Sequence, residues 1–259
     1  MKLPKRIAVK VGSNVLTRPD GRLDIARMAA LVGQIAELRH KGIEVLLISS
    51  GAVASGRGAL PNINDDNVTT RQLFAAVGQA KLIEHYYNFF QEYGITAGQI
   101  LTTKENFVNE TLYANQKRCM TAMLDNGVVP VINENDTVSV QELMFTDNDE
   151  LSGLVARMMG VEILVILSNI DGVYDGNPFE CKSELIHDVY PGDDYSGCVI
   201  STKSKYGRGG MLTKMNTALG VAADGIEVRI ANGCRQDVLI DVIFEPDNAR
   251  CTRFHPSKK

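Results

Sequence analysis

The feature that most limits what this chain can become is a set of short runs that are apolar almost throughout. RIAVKV at Arg6–Val11, VLLI at Val45–Ile48, VVPVI at Val128–Ile132 and ILVIL at Ile163–Leu167 are aliphatic and largely β-branched, and each stops at a polar turn. A strand without a polar face has to be covered on both sides, which is the condition of a parallel sheet between helical layers. The intervals between these runs carry a helical period. Leu23 to His40 places Ile25, Met28, Leu31, Val32, Ile35 and Leu38 on one face, with Gly42 as a stop. Arg71 to Phe90 gives a long amphipathic helix through Leu73, Val77, Ala80, Ile83, Tyr87 and Phe90, and helices also read from Asn109 to Asn126, Asp149 to Met159 and up to about Ala223. Further strands are expected at Ile95–Leu101, Glu227–Ile230 and Val238–Ile240, with a short one within Glu184–Val189. The alternation predicts an α/β fold, a three-layer αβα sandwich with a mostly parallel central sheet. No repeat, low-complexity tract or linker divides residues 1–259, so a single domain is expected.

The polar residues concentrate where the strands end. Val128–Ile132 runs into Asn133-Glu134-Asn135-Asp136, side chains that favour turns, and Asp147-Asn148-Asp149 repeats the chemistry just before a helix. Glu134, Asp136, Glu142, Asp147, Asp149 and Glu150 share this segment with no lysine or arginine between them. A solvated loop and a site for a metal or an ammonium group both fit, and a position beyond the carboxyl end of a strand favours a ligand. Lys10 lies near the end of the first strand, followed by Gly12-Ser13-Asn14. It reads equally well as an edge residue facing water or as a charge aimed at a phosphate. Ser49-Ser50-Gly51-Ala52 closes the second strand with small residues that let backbone N–H groups approach an anion, or that simply allow a tight turn. A second anomaly is STKSKYGRGGMLTK, Ser201–Lys214, which holds Lys203, Lys205, Arg208 and Lys214 without an acid and has glycines before a helix.

An acidic and a basic cluster on one α/β scaffold suit a phosphorylated nucleotide with a divalent metal. Formal net charge is -4, which gives no field favouring nucleic acid or an anionic membrane. The five cysteines are widely spaced with no C-x-x-C pair, so neither a disulfide framework nor a zinc site is expected. No secretory signal or apolar span of about 18 residues is present, which places the chain in the cytoplasm. Walker, dinucleotide-binding and protein-kinase motifs are all missing. The four histidines, His40, His85, His187 and His255, fall in no metal or triad spacing.

Six blocks in order carry a resemblance: KVGSNVL from Lys10, ISSGAVASG from Ile48, QLFAAVGQAKLI from Gln72, VPVINENDTV from Val129, DNDELSGLVA from Asp147 and GRGGMLTK from Gly207. Over about Lys5 to Pro256 the chain resembles the glutamate 5-kinase branch of the amino acid kinase family. The resemblance implies the amino acid kinase fold, ATP and Mg2+ as cofactors, and phosphorylation of the γ-carboxylate of L-glutamate, the first step of proline biosynthesis. It also implies a homodimer or homotetramer and feedback inhibition by L-proline. Acetylglutamate, aspartate and uridylate kinases of the same family, and a catalytically silent amino-acid-binding regulator, are the alternatives. A carboxy-terminal PUA domain, an RNA-binding type of module, is not expected, nor is an RNA partner.

Carried over residue by residue, the resemblance makes Lys10, Lys214 and Asp149 catalytic, with Asp149 orienting the two lysines. Asp136 and Asn148 would hold the α-amino and α-carboxylate ends of glutamate, Ser50 and Gly51 would lie against it, and Asn133 and Asn135 would shape the loop. Asp147 would be the partner of magnesium. Gly12, Ser13, Ser168, Asn169, Arg208, Gly209, Gly210, Met211, Leu212 and Thr213 would line the ATP site with the two lysines. The amino-terminal part, about 1–165, would bind glutamate and the remainder ATP. The chain departs from the family in having Ser168-Asn169 where Thr-Asp is frequent, Arg208 in place of Thr, and Thr146 in place of Gly.

Overall fold

The computed structural model describes residues 3–63, 67–138, 147–178, 183–193 and 210–257. From the amino terminus the elements are β1 (Arg6–Val11), α1 (Ser13–Leu16), α2 (Ile25–His40), β2 (Glu44–Ser49), α3 (Ala52–Ala59), α4 (Val68–Gln91), β3 (Ala97–Thr102), α5 (Glu105–Val108), α6 (Glu110–Asp125) and β4 (Val129–Glu134). They continue with α7 (Asn148–Met159), β5 (Ile163–Ser168), β6 (Asp188–Val189), α8 (Met211–Ala223), β7 (Glu227–Asn232), α9 (Val238–Phe244) and β8 (Cys251–Phe254).

The strands form one sheet in the order β3-β4-β2-β1-β5-β7-β8-β6. Every pairing is parallel except β7 with β8. The chain therefore builds outward from β1 to one side through β2, β4 and β3, then returns to add β5 and β7 on the other side. The carboxyl ends of β1 and β5 flank the reversal, the position at which open α/β sheets form a crevice. The amide of Gly12 donates to the Leu167 carbonyl (3.2 Å) and closes the two strand ends together.

Strand alternation sorts β1 into two layers. Ile7, Val9 and Val11 pack in one apolar cluster with Met28, Leu31, Val32 and Ile35 of α2 and with Val238 and Leu239 of α9. Ala8 belongs to the opposite cluster, with Leu151 and Val155 of α7 and Met215 and Ala218 of α8. Period 2 puts Lys10 on that second face, beneath α7 and α8. This sandwich is the fold class expected from the sequence.

Several local expectations are revised. The turn Gly12-Ser13-Asn14 begins the one-turn helix α1. Strand β4 does not stop at Ile132 but carries Asn133 and Glu134, both buried, because β3 continues the ladder as far as Thr102 opposite Glu134. Val238–Ile240 is helical, and β8 supplies the strand in its place. The run VLIDVIF buries Val238, Leu239, Val242 and Ile243, a helical spacing that a three-residue apolar window hides. Within Glu184–Val189 only Asp188–Val189 is a strand, with a single bridge from Leu185 to Tyr174. Helix α4 buries Phe74, Leu82, Tyr86 and Phe90 and leaves Leu73 and Tyr87 exposed, so of the expected face only Phe90 is buried, with Val77 and Ile83 partly so.

Helices α3 and α4 touch backbone to backbone. A Cβ on Gly78 would lie 1.8 Å from the Ala52 carbonyl oxygen, and one on Gly56 2.0 Å from the Phe74 carbonyl oxygen. Neither neighbour can rotate away, so glycine is required for α3 to sit where it does. At Gly98 the nearest atom is the flexible Met123 methyl. Gly78→Ala is therefore expected to destabilise the protein by about 1–3 kcal/mol or more, and Gly98→Ala by clearly less. Urea unfolding checks this; equal losses for the two variants would contradict the backbone contact.

Candidate active site

Six elements bring their polar residues to the crevice. Its volume is about 520 Å³, and its walls include Lys10, Gly12 and Ser13 after β1, Ser50 and Gly51 after β2, Asn133 and Asp136 at the end of β4, Asp147, Asn148 and Asp149 at the start of α7, Ser168 and Asn169 after β5, and Lys214 in α8. Thirteen of the residues singled out from the sequence thus share one cleft. Asn135 lines a smaller neighbouring hollow instead, where its side chain accepts from the Thr137 hydroxyl (2.6 Å) and its amide donates to the Thr102 carbonyl (2.8 Å). Gly210, Met211, Leu212 and Thr213 are not among the lining residues. Arg208 and Gly209, together with Lys203, Lys205, Thr146 and the segment 139–146, lie outside the described residues.

Lys10 is not an edge residue. Strand β1 is flanked by β2 and β5, with Lys10 in register with Ile48 and Ile166, and only 4% of the residue is exposed. A buried ammonium needs a partner, and period 2 aims this one at α7. Asp149, fully buried, supplies it: Lys10 Nζ donates to Asp149 Oδ1, while Lys214 Nζ donates to Asp149 Oδ2 at 2.9 Å. One carboxylate spans two lysines contributed by β1 and α8. Burial lowers the Lys10 pKa, Asp149 opposes the fall and Lys214 adds to it. For Asp149 burial acts upward, but the two lysines outweigh it and hold the carboxyl down at about 2.

Asp147 caps α7. Its Oδ1 accepts the amides of Asp149 (2.8 Å) and Glu150 (3.1 Å), which satisfies two open helix donors and fixes where α7 starts. Its Oδ2 is buried and has no partner among the described residues. Burial, then the charge of Asp149, push the Asp147 pKa up to about 6. A hard cation suits such an oxygen. Among the described residues no cluster of three or more His, Cys, Asp or Glu could enclose a metal. A magnesium ion here would take a single protein carboxylate and complete its shell from phosphate and water, as that ion commonly does.

Asn148 joins the β2 and β4 ends. Its Nδ2 donates to Ser50 Oγ (2.9 Å) and to Asn133 Oδ1 (3.0 Å), and its Oδ1 is buried without a partner among the described residues. Asn133 donates in turn to Gln79 Oε1 on α4 (2.9 Å). Below Ser50, Ser49 Oγ and the buried Tyr86 hydroxyl are 2.7 Å apart. Reasoning from the sequence missed Gln79, Arg57 and Arg71 as parts of the site. Arg57, Arg71, Asn14 and Glu134 line the cleft, and Asn14 Oδ1 is buried without a partner among the described residues. The Gly12 amide, expected near phosphate, is committed to Leu167. Gly12 has a steric role as well, since a Cβ would stand 3.5 Å from Lys10 Nζ and 3.2 Å from the Leu167 oxygen.

The amino acid kinase family model matches residues 5–232. A protein named glutamate 5-kinase from Bacteroides thetaiotaomicron is 61% identical over 97% of this chain and 70% of its own length. Proteins of the same name are 46% identical in Chlorobaculum tepidum, over 91% of this chain and 65% of theirs, and 38% identical in Clostridium acetobutylicum, over 98% and 96%. The chain thus spans about two thirds of the length of the first two and nearly all of the third. A solved isopentenyl phosphate kinase matches with a TM-score of 0.66 at 18% identity, covering 96% of this chain and 99% of its own, a likeness of fold.

Removing Asp149 would strand two ammonium groups, one of them deeply buried. Asp149→Asn is expected to cost about 3–5 kcal/mol of stability at pH 7, and the double variant Lys10→Met/Asp149→Leu to recover much of that without recovering function. Because the folded pKa of Asp149 lies below its unfolded value, the carboxylate stabilises the fold above pH about 4 and that contribution vanishes as pH falls through about 2. Acid unfolding of the wild type should therefore show a limb between those values that Asp149→Asn lacks. Superimposable acid curves would refute the bridge.

Proposed function

Since the chain belongs to the amino acid kinase family and, within it, to the glutamate 5-kinases, we propose that it transfers the γ-phosphoryl group of ATP to the γ-carboxylate of L-glutamate. A carboxylate oxygen of glutamate attacks the γ-phosphorus, an acyl C–O–P linkage forms, the bond to the β-phosphate bridge breaks, and ADP leaves. The observation that carries this reading is the pair of lysines locked on opposite oxygens of Asp149 at the floor of one cleft. The nucleophile, with a side-chain pKa of about 4.3, is already ionised at neutral pH, so no base is required. Catalysis then consists of aligning two anions and neutralising the charge that moves between them.

Lys10, in β1 between β2 and β5, meets the transferring phosphoryl group, and Lys214 steadies the charge that develops on the departing ADP. Asp149 keeps both at fixed separation and opposes the effect of burial on the Lys10 charge. Ser50, Gly51, Asn133, Asp136 and Asn148 form the glutamate side, which lies in the part of the chain before about residue 165. Ser168, Asn169 and the segment leading into α8 form the nucleotide side. Magnesium, when bound, offsets phosphate charge, and Asp147 Oδ2 is the oxygen this chain offers it. Proline shares glutamate's α-carboxylate and a cationic amine, which supports inhibition at the same cleft. A homo-oligomer is supported by Val68, Leu73 and Tyr87, apolar residues that α4 leaves exposed. Among the described residues no helix is long and apolar enough to cross a membrane, in keeping with a cytoplasmic enzyme.

With Mg-ATP and hydroxylamine, the purified protein is expected to form hydroxamate from L-glutamate and far less from N-acetylglutamate or aspartate. No hydroxamate from glutamate would overturn the assignment. Lys10→Ala should lower kcat by on the order of a hundredfold or more while changing ATP affinity little, because its charge matters most in the transition state. An equal loss in both would remove it from that role.

A further inference from the structure

An amino acid with a side-chain carboxylate brings three charges into the cleft, and the residues assigned so far serve only two of them well. Lys10 suits the side-chain carboxylate and Asp136 the ammonium. The likeness to the family gives the α-carboxylate to Asn148, but an amide nitrogen has two N–H donors and both are spent, one on Ser50 Oγ (2.9 Å) and one on Asn133 Oδ1 (3.0 Å). A carboxylate taken out of water needs donors of its own, and charged donors are the strongest.

Helix α3 supplies one. Val53 and Ala54 line the cleft, and Arg57, at i+4 and i+3 from them, falls on the same helical face and lines it too. Ser55 and Gly56 take the other side and are buried, Gly56 against the backbone of Phe74. Arg57 stands about 9 Å along the helix from Gly51, and helical side chains lean back towards the N-terminus, which here means towards Ser50 and the floor of the cleft. Its guanidinium carbon lies 5.4 Å from the centre of the Phe74 ring, a contact that steadies the group. Arg71, one turn before Phe74 on α4, lines the cleft as well. Both arginines are exposed, as groups that meet a ligand have to be.

The two helices thus give the wall above Ser50 a positive sign, while the end of β4 carries the acid Asp136. A cationic wall and an acidic one sort the two groups on a single α-carbon. We propose that Arg57, steadied by Phe74 and reinforced by the charge of Arg71, binds the α-carboxylate of the acceptor and makes that carboxylate a condition of tight binding. A guanidinium presents its N–H groups as a planar fork that matches both oxygens of a carboxylate. The proposal rests on glutamate being the acceptor substrate.

Calorimetric titration in the presence of Mg-ADP, with L-glutamate and with 4-aminobutanoate, tests this without relying on turnover. The second ligand keeps the ammonium and the far carboxylate and lacks only the α-carboxylate. The wild type is expected to bind glutamate at least about tenfold more tightly than 4-aminobutanoate, the scale of a hydrogen bond to a charged group. Arg57→Met, which keeps an apolar stem over Phe74 and loses the fork, should erase most of that preference by weakening glutamate alone, and Arg57→Ala should do the same. Arg57→Lys, with the charge but not the fork, should fall between the Met variant and the wild type. Equal weakening of both ligands would make Arg57 a merely structural residue and overturn the proposal, as would an unchanged preference in the Met and Ala variants or no preference in the wild type. The hydroxamate assay separates the two readings. A preference for glutamate without acyl phosphate would end the kinase reading and leave Arg57 in its role, whereas acyl phosphate without the preference would do the reverse.

Discussion

A single buried carboxylate with a lysine on each oxygen is the constraint around which this site is arranged. Asp149 could not stay ionised without the two cations, and Lys10, sealed under α7, could not stay protonated without Asp149. Each stabilises the charged form of the other, so what would be a liability for the fold becomes a fixed pair of positive charges. The pair also joins parts of the chain far apart in sequence. Lys10 comes from β1, Asp149 from the first turn of α7 and Lys214 from the first turn of α8, so the bridge fastens both helices over the same sheet face. Asp147 contributes by setting the start of α7 through its cap, and its second oxygen has no partner among the described residues.

The sheet explains why these groups meet. Strand β1 was laid down first and ended up between β2 and β5, so its carboxyl end lies at the reversal of strand order. Alternation along β1 gives the apolar residues Ile7, Val9 and Val11 to the α2 side and leaves Ala8 and Lys10 for the α7 side. Around this charged floor the β2 and β4 ends contribute neutral groups, the amides and hydroxyl of Asn133, Asn148 and Ser50. Their hydrogen bonds run from wall to wall and back to Gln79. The cleft therefore has a cationic centre suited to phosphoryl transfer and a flank of directed dipoles suited to an amino acid.

Much of this was legible in the sequence, and the failures have physical causes. The alternation of apolar strands with amphipathic helices was enough for the sandwich, and the Asn/Asp clusters at strand ends were enough to locate the cleft. The role of Lys10 stayed open because edge and centre differ only in which strands pair with β1, a non-local fact. Val238–Ile240 was misread because three apolar residues carry no period, and only Val242 and Ile243 reveal the helical spacing. The buried face of α4 differs from the expected one because it includes Gly78, pressed against the α3 backbone, and glycines leave no mark on a hydrophobic pattern. Gln79 was invisible for a different reason: it is one of many polar residues along an amphipathic helix, and its partner Asn133 lies 54 positions away.

The chemistry needs no base, and none of the histidines lines the cleft. What distinguishes carboxylate phosphorylation from idle ATP hydrolysis in such a site is which oxygen attacks phosphorus. Tracing that oxygen is the most direct test. L-Glutamate carrying oxygen-18 in its γ-carboxylate is incubated with Mg-ATP, and hydroxylamine then cleaves the acyl phosphate at carbon. If the substrate carboxylate attacks, each phosphate released by hydroxylamine carries one oxygen-18 atom taken from glutamate. Phosphate without the label would mean that water attacks instead, and it would contradict the account.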